Sequence, residues 1–236
     1  MIYGKYDIPF KLEQDGFSIS MQKAGESYRY SRTCLETSVE KSLILSKGDL
    51  VVHPVEPLNT PKAMTSYLII EFDTTLVLEP KATKKIFLTF PVEIAVMVSL
   101  NKNLKVIDSF SLAKQKFTLY GEPKNGWICK HWNSAVSETM IQTDPLREGV
   151  LELMVSNLDS EWNDVTKAVF NAYGMKIFYG KQQVMMKARM KIRDDGTAET
   201  GFQDSAPERG MKKSLETFAT RKLSVTTTAF IMEYGI

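Results

Sequence analysis

The sequence has few of the residues on which disulfide frameworks and metal sites depend. Its 236 residues include two cysteines, Cys34 and Cys129, and two histidines, His53 and His131. Two cysteines are too few for the disulfide framework of a small secreted protein. The longest uncharged apolar stretch, Ile94 to Leu100, is far shorter than the roughly 20 residues that a membrane-spanning helix needs. We therefore predict a cytoplasmic protein with reduced thiols and no transmembrane segment.

Short motifs for common cofactor and catalytic sites are also absent. The sequence contains neither a G-x-G-x-x-G nor a P-loop pattern, no G-x-S-x-G elbow, and no C-x-x-C or H-x-x-x-H spacing. On this ground we predict no catalytic residue, no cofactor and no metal ion. One metal alternative stays open, because Cys129 and His131 would share a strand face and Cys34 and His53 could complete a four-ligand zinc site.

Short segments that alternate apolar and polar residues, separated by turn residues, follow one another along most of the chain. Such a pattern is typical of strands that bury one face. One helix signal begins at Pro207, with Met211, Leu215 and Phe218 on one helical face. We predict an all-β fold with β-sandwich architecture, as one large or two adjacent sandwiches, and at most one or two short helices.

The polar, turn-rich segment 143–149 is the best candidate for a domain boundary. It divides the chain into an N-terminal β-sandwich domain, residues 1–142, and a C-terminal β-sandwich domain, residues 143–236. A single fused domain is the alternative, because 236 residues also suit one large β domain.

Four cations at every second position form the most informative segment. They are Lys187, Arg189, Lys191 and Arg193. The positions before and between them hold the apolar residues Met186, Ala188, Met190 and Ile192. Because side chains alternate across a strand, this spacing places all four cations, here called the basic row, on one face and the apolar groups on the other.

Helix propensity and pattern disagree over the basic row. Met, Lys, Ala and Arg favour a helix, but a helix would scatter the four charges around its axis. The segment Asp194–Thr197 favours a strand, since it predicts a hairpin turn with a bulge at Gly196. In the predicted register Arg193 faces Thr197. Two further pairs follow from it: Lys191 with Glu199, and Ile192 with Ala198.

The basic row suggests a function, although the net charge of +2 gives no global attraction to nucleic acid or membrane. Arginine and lysine match the oxygens of phosphate groups and other anions. The same charges also keep a sheet face soluble and discourage edge pairing without any partner. We predict a non-enzymatic binding or interaction module, whose partner is a protein or an anionic molecule.

Two further readings concern sites that a sequence reveals poorly. Trp127 and Trp132 flank Cys129 and His131, and they would form either an aromatic platform for a sugar or peptide or part of the sandwich core. The alternative function is a carbohydrate-active or other hydrolase with a carboxylate-lined cleft between sheets. Close carboxylates, one of them buried, would favour the hydrolase.

Three segments carry a resemblance to a known family. They are Tyr3–Tyr6, Phe117–Pro123 followed by Gly126–Cys129, and Phe230–Gly235. Over almost its whole length the chain resembles an uncharacterised family of archaeal proteins known only as a domain of unknown function. The resemblance implies an archaeal cytoplasmic protein with no assigned activity, and a membrane-adjacent partner, since some relatives are associated with small mechanosensitive channels. It implies no functional residues.

Overall fold

The protein is built from strands, as the sequence predicts. The computed structural model describes residues 2–14, 16–45, 48–61, 64–100, 103–217 and 229–236. Within these ranges it contains 19 strands and one short 3-10 helix, Ala172–Gly174. None of the described residues belongs to a helix long and apolar enough to cross a membrane. The all-β, sandwich-like fold class is thereby confirmed.

Two four-stranded antiparallel sheets come mainly from the first half of the chain. The meander sheet follows chain order and contains β2 (Phe10–Gln14), β3 (Phe17–Ala24), β4 (Ser27–Cys34) and β5 (Thr37–Leu43). The β9 sheet contains, in spatial order, β1 (Gly4–Tyr6), β6 (Asp49–Val55), β9 (Glu93–Leu100) and β10 (Asn103–Phe110).

The other two sheets mix strands from both halves of the chain. The β7 sheet has the order β11 (Phe117–Tyr120), β12 (Trp127–Ser134), β7 (Tyr67–Leu78) and β14 (Asn163–Asn171). The β16 sheet has the order β18 (Lys212–Lys213), β15 (Phe178–Tyr179), β16 (Val184–Asp194), β13 (Glu148–Asn157) and β8 (Thr83–Pro91). At its edge, β17 (Thr197–Gln203) pairs with β16 and with β19 (Phe230–Met232).

Strands from either side of the predicted boundary at 142/143 pair with each other. β8 and β13 are antiparallel neighbours, and so are β7 and β14. The largest buried core contains residues from all four sheets, among them Ile19, Val52, Ile70 and Leu153. Pairing of strands across the boundary is what we expect of a single fused domain. The division into two domains stays a prediction.

The helix signal at Pro207 is wrong for the residues that the structure describes there. Lys212 and Lys213 form β18 and pair with Tyr179 and Phe178 of β15. The next backbone amide, that of Ser214, donates to the carbonyl oxygen of Ile177 at 2.8 Å. Pairing with a neighbouring strand therefore satisfies backbone groups that a helix would have satisfied internally. The last residue of the signal, Phe218, lies outside the described ranges.

An aromatic cluster joins two of the segments that carry the family resemblance. The rings of Trp127 and Phe230 meet edge to face, with centroids 5.4 Å apart. Tyr120 and Tyr234 also meet edge to face at 5.8 Å. The hydroxyl of Tyr120 accepts a hydrogen bond from the backbone amide of Tyr234 (3.0 Å) and donates to the carbonyl of Gly235 (3.1 Å). These contacts fix the last residues of the chain against the β11–β12 hairpin.

Gly121 is the tight point of this cluster. Its φ is +100°, and a Cβ atom there would lie 2.8 Å from the ring of Tyr234. We expect Gly121→Ala to lower the free energy of unfolding by about 1–3 kcal/mol more than Gly210→Ala does, because an added methyl would overpack the cluster. Gly210 is the matched control, since its φ is +88° and its surroundings are open. Denaturant unfolding of both variants measures the difference, and equal losses would contradict the packing argument.

Candidate functional site

The basic row lies on a strand, as the alternating pattern predicts. β16 runs from Val184 to Asp194, and burial alternates along its second half. Arg189 and Arg193 are exposed, whereas Lys187 and Lys191 are half-buried. The opposite side of the strand is buried in the core: Met186, Ala188, Met190 and Ile192. The core therefore holds the four cations on the outer face of the β16 sheet.

The β16–β17 hairpin confirms most of the predicted register. Lys191 pairs with Glu199, and Ile192 pairs with Ala198. One predicted pair is wrong, because Thr197 faces Asp194 and not Arg193. A bulge between Ile192 and Asp194 leaves Arg193 without a partner in the register, and Gly196 turns the chain with a φ of +84°. The extra residue of a bulge is commonly left unpaired in this way.

Neighbouring strands contribute further charges to this outer face. Lys187 and Arg189 on β16 pair with Glu152 and Met154 on β13. Met154 in turn pairs with Lys85 on β8, so Lys85 lies on the same face. Beside the basic row, the register places two carboxylates, Glu152 and Glu199. Farther along the same face lie Glu148 on β13 and Lys213 on β18. Beside the row itself, five cations and two carboxylates leave a local excess of three positive charges.

Ion pairs neutralise only part of that excess. Arg193 donates a hydrogen bond to the half-buried Glu199, and this bond, ahead of the charges of nearby cations, lowers the pKa of the Glu199 carboxyl. Lys187 Nζ lies 3.8 Å from Glu152 Oε1, a long and weak contact. Among the described residues, Arg189 and Lys191 have no ion-pair partner within 4 Å. These two cations are therefore available to another molecule.

Exposed apolar side chains stand beside the cations. Met154 is 37% exposed, Leu158 50% and Ile231 42%. Ile231 pairs with Glu199, which places it on the outer face. The backbone amide of Leu158 donates to the carbonyl of Ile192 at 2.9 Å, so it continues the parallel pairing of β13 with β16 and lies next to Arg193. The outer face is therefore mixed, with cations and apolar groups side by side.

The loop that follows Leu158 is held in place from the core. The amide nitrogen of Asn157, which is fully buried, donates to the carbonyl oxygens of Leu78 (3.2 Å) and Glu161 (2.8 Å). The side-chain oxygen of Asn157 accepts the backbone amide of Asp159 at 2.9 Å. This anchoring keeps Leu158, and Trp162 four residues later, exposed on an ordered loop rather than folded into the core.

A buried ion pair lies elsewhere in the molecule, between residues too far apart in the sequence for a local pattern to indicate it. Lys130 Nζ lies 2.7 Å from Glu93 Oε1, and neither side chain is more than 3% exposed. Glu93 also accepts the backbone amides of Asn59 (2.8 Å) and Thr60 (3.2 Å). Burial raises the pKa of Glu93 and lowers the pKa of Lys130, and each charge partly offsets the effect on the other. This pair ties residues 59–60 to β9 and β12.

His53 makes partly buried hydrogen bonds of its own, and among the described residues no metal-binding group includes it. Its Nδ1 accepts the backbone amide of Leu215 at 3.4 Å, so the proton lies on Nε2, 3.1 Å from the hydroxyl of Tyr179. Burial, with a smaller contribution from the positive charge of Lys212, lowers the pKa of His53 from 6.5 to about 4. The imidazole is therefore neutral at physiological pH.

The four-ligand zinc alternative is wrong for the residues that the structure describes. Across the described ranges, no three side chains of His, Cys, Asp or Glu are grouped closely enough to hold a metal ion. Cys129 is fully buried, and burial raises the pKa of its thiol to about 12. Its neighbour His131 contacts Glu71 instead, with Nε2 and Oε2 3.0 Å apart.

Three pockets among the described residues give little support to the hydrolase alternative. One of about 330 Å³ has Asp144 as its sole carboxylate residue, and one of about 290 Å³ has Glu208. The third, of about 320 Å³, has no carboxylate among its described lining residues. Retaining and inverting glycosidases both need a pair of carboxylates in one cleft. The hydrolase alternative stays a prediction.

Comparison with known proteins gives a family but no activity. The family described as "Protein of unknown function (DUF432)" matches residues 2–233, which confirms the resemblance to a domain of unknown function over nearly the whole chain. No curated protein and no solved structure matches the chain.

Removal of the buried cation should be strongly destabilising. We expect Lys130→Met to lower the free energy of unfolding by about 3–5 kcal/mol, because it leaves the Glu93 carboxylate buried without a counter-charge. The double variant Glu93→Gln with Lys130→Met should recover most of that loss, since no charge then stays buried. Denaturant unfolding measures both. A small loss in the single variant, or no recovery in the double variant, would refute this account.

Stability should depend on pH through His53. Its folded-state pKa lies below the ordinary value, so between about pH 6.5 and pH 4 the unfolded chain binds a proton that the folded chain does not. Stability is therefore complete above pH 6.5 and falls as the pH drops toward 4, by on the order of 2–3 kcal/mol. His53→Gln should remove this part of the pH dependence. The measurement is the free energy of unfolding as a function of pH for the unchanged protein and for His53→Gln. If the two curves run parallel between pH 6.5 and pH 4, His53 does not cause the loss of stability.

Proposed function

We propose that this chain, which belongs to the DUF432 family, is a binding module that docks the outer face of its β16 sheet onto an acidic protein surface. The observation that carries the proposal is the basic row on an open part of the sheet face, where the row and Lys85 give five cations and only two carboxylates lie beside them. The buried apolar side of β16 orients these cations outward, so a partner meets them already in position.

The spacing of the cations suits an extended anionic partner. Side chains two residues apart on a strand are about 7 Å apart, so the basic row covers roughly 20 Å. Arg189 and Lys191 lack ion-pair partners among the described side chains, so an acidic partner would meet them without first breaking a contact. An arginine guanidinium binds a carboxylate through two parallel hydrogen bonds, which adds geometric specificity.

The apolar groups between the cations favour a protein over a nucleic acid. Met154, Leu158 and Ile231 are exposed beside the basic row. Protein interfaces are enriched in arginine, methionine and aromatic residues, and they bury apolar groups at their centre. A phosphate backbone offers no apolar complement, and sequence-tolerant binding of single strands depends on aromatic stacking. None of the described residues that the strand register places beside the basic row is an exposed aromatic.

Loss of the basic row should abolish retention on a polyanion without loss of stability. We expect replacement of its four residues by Ser to eliminate retention on heparin and to leave the melting temperature unchanged, because the four side chains lie outside the core. The control variant replaces two lysines and two arginines on other exposed surfaces by Ser, namely Lys23, Arg29, Lys124 and Arg209. Equal retention of the two variants would reject the proposal.

The class of partner is decided by separate probes. Fluorescence anisotropy should show that poly-glutamate binds, and that a glutamate–tyrosine copolymer binds more tightly because its aromatic groups contact the apolar residues of the face. The double variant Met154→Ser with Leu158→Ser should remove that difference. Binding to heparin or to phosphatidylglycerol vesicles but not to either polypeptide would show an anion-binding face that does not recognise protein.

A further inference from the structure

We propose that the chain carries a second binding site, a pocket for a small organic anion that contains a flat ring. The site, here called the Trp132 pocket, has a volume of about 320 Å³. Its described lining includes Lys114, Lys116, His131, Trp132 and Asn133. Clefts and cavities of roughly 300 Å³ or more have the size that proteins use for small ligands. The proposal is independent of the outer face of the β16 sheet.

The pocket arises where an edge strand ends. β11 pairs with the first half of β12, from Trp127 to Lys130, and goes no further. Beyond that point the chain before β11 follows β12 through one backbone hydrogen bond, from His131 N to the carbonyl oxygen of Lys116 at 2.9 Å. The second half of β12 is therefore only partly covered, and the pocket forms in the space that remains.

The two lysines stand on an ordered segment. Arg147 donates to the carbonyl oxygen of Leu112 at 2.9 Å, and the hydroxyl of Ser111 accepts the backbone amide of Ala113 at 3.1 Å. These bonds fix the backbone immediately before Lys114. Both lysine side chains are exposed, and neither has an ion-pair partner within 4 Å among the described residues. A bound anion would be their natural counter-charge.

Hydrogen bonds outside the pocket orient its two ring systems. Trp132 Nε1 donates to Thr89 Oγ1 at 2.8 Å, so the indole is fixed and its own donor is satisfied. His131 Nε2 lies 3.0 Å from Glu71 Oε2. A carboxylate only accepts hydrogen bonds, so Nε2 carries the proton and Nδ1 is left for another partner. Because neighbouring side chains of a strand lie on opposite faces, Trp132 alone offers the stacking surface, and His131 reaches the opening from the other side of β12. An indole held in this way provides a flat surface for stacking at little entropic cost.

The lining defines the chemical class of the ligand. Lysines act as point charges toward phosphate groups, and indole rings stack on flat heterocycles. The amide of Asn133, on the face of β12 opposite Trp132, lines the same opening and offers both a donor and an acceptor to a bound ligand. The pockets beside Asp144 and Glu208 each include a carboxylate residue in their lining, whereas the described lining of the Trp132 pocket has none. A phosphate monoester that carries a flat ring, as in a nucleoside monophosphate, satisfies all three features.

Adenosine monophosphate is the probe that tests this site. We expect calorimetric titration to show binding to the whole chain, at least tenfold tighter than that of inorganic phosphate or adenosine, with quenching of tryptophan fluorescence. The quenching should disappear in Trp132→Phe and persist in Trp162→Phe. Binding of phosphate or adenosine as tight as that of adenosine monophosphate would overturn the proposed ligand class.

Charge-removing variants locate the binding. Lys114→Gln with Lys116→Gln should weaken adenosine monophosphate at least tenfold and leave the melting temperature unchanged, because both side chains are exposed. The control Lys23→Gln with Lys124→Gln, and the variant without the basic row, should bind as the unchanged protein does. Unaltered binding by the Lys114 and Lys116 variant, or loss of binding with the basic row, would overturn the assignment to this pocket.

Discussion

The parallel pairing of β16 with β13 is the constraint on which the proposed binding face depends. Apolar side chains of both strands meet in the core, as Leu153 and Ala188 do across the register. A slip of one residue would turn every side chain of β16 to the opposite face. It would bury the four cations of the basic row without counter-charges, and each unpaired buried charge costs several kcal/mol. The core thus determines where the charges point, although none of them contributes to the core.

Buried charges, unlike those of the basic row, are surrounded by hydrogen-bond and ion-pair partners. The carboxylate of Asp108 accepts hydrogen bonds from Tyr30 (2.8 Å) and from Arg32 Nε (2.6 Å), and this contact joins the meander sheet to β10. Glu93 likewise has Lys130 and two backbone amides around it. Where the fold needs an ion it surrounds that ion with partners, because an unsatisfied buried charge is destabilising. The unpaired cations on the outer face and in the Trp132 pocket serve no such structural need, which is why we assign them to ligands.

Local patterns in the sequence predicted the β16–β17 hairpin, since a period of two and a turn with glycine are both properties of neighbouring residues. The same reasoning missed the shift at Arg193, because a bulge depends on how the partner strand is satisfied. The helix signal at Pro207 failed for a similar reason, as pairing with β15 decided the conformation of Lys212 and Lys213. The Lys130–Glu93 pair and the Trp132 pocket depend on contacts between distant parts of the chain. A pattern of neighbouring residues does not predict such contacts.

The two tryptophans of β12 show what the alternation of side chains along a strand can predict and what it cannot. Trp127 and Trp132 are an odd number of positions apart, so a strand must place them on opposite faces. Trp127 accordingly packs against Phe230 in the aromatic cluster, and Trp132 lines the pocket. Their joint platform, considered from the sequence, is therefore excluded by the period of the strand itself. The alternation does not predict that β11 begins only at Phe117, opposite Lys130. If β11 began earlier, it would also pair with the part of β12 that contains Trp132. The pocket thus depends on two features: the alternation of side chains along β12 and the length of the edge strand β11. Only the alternation can be predicted from neighbouring residues in the sequence.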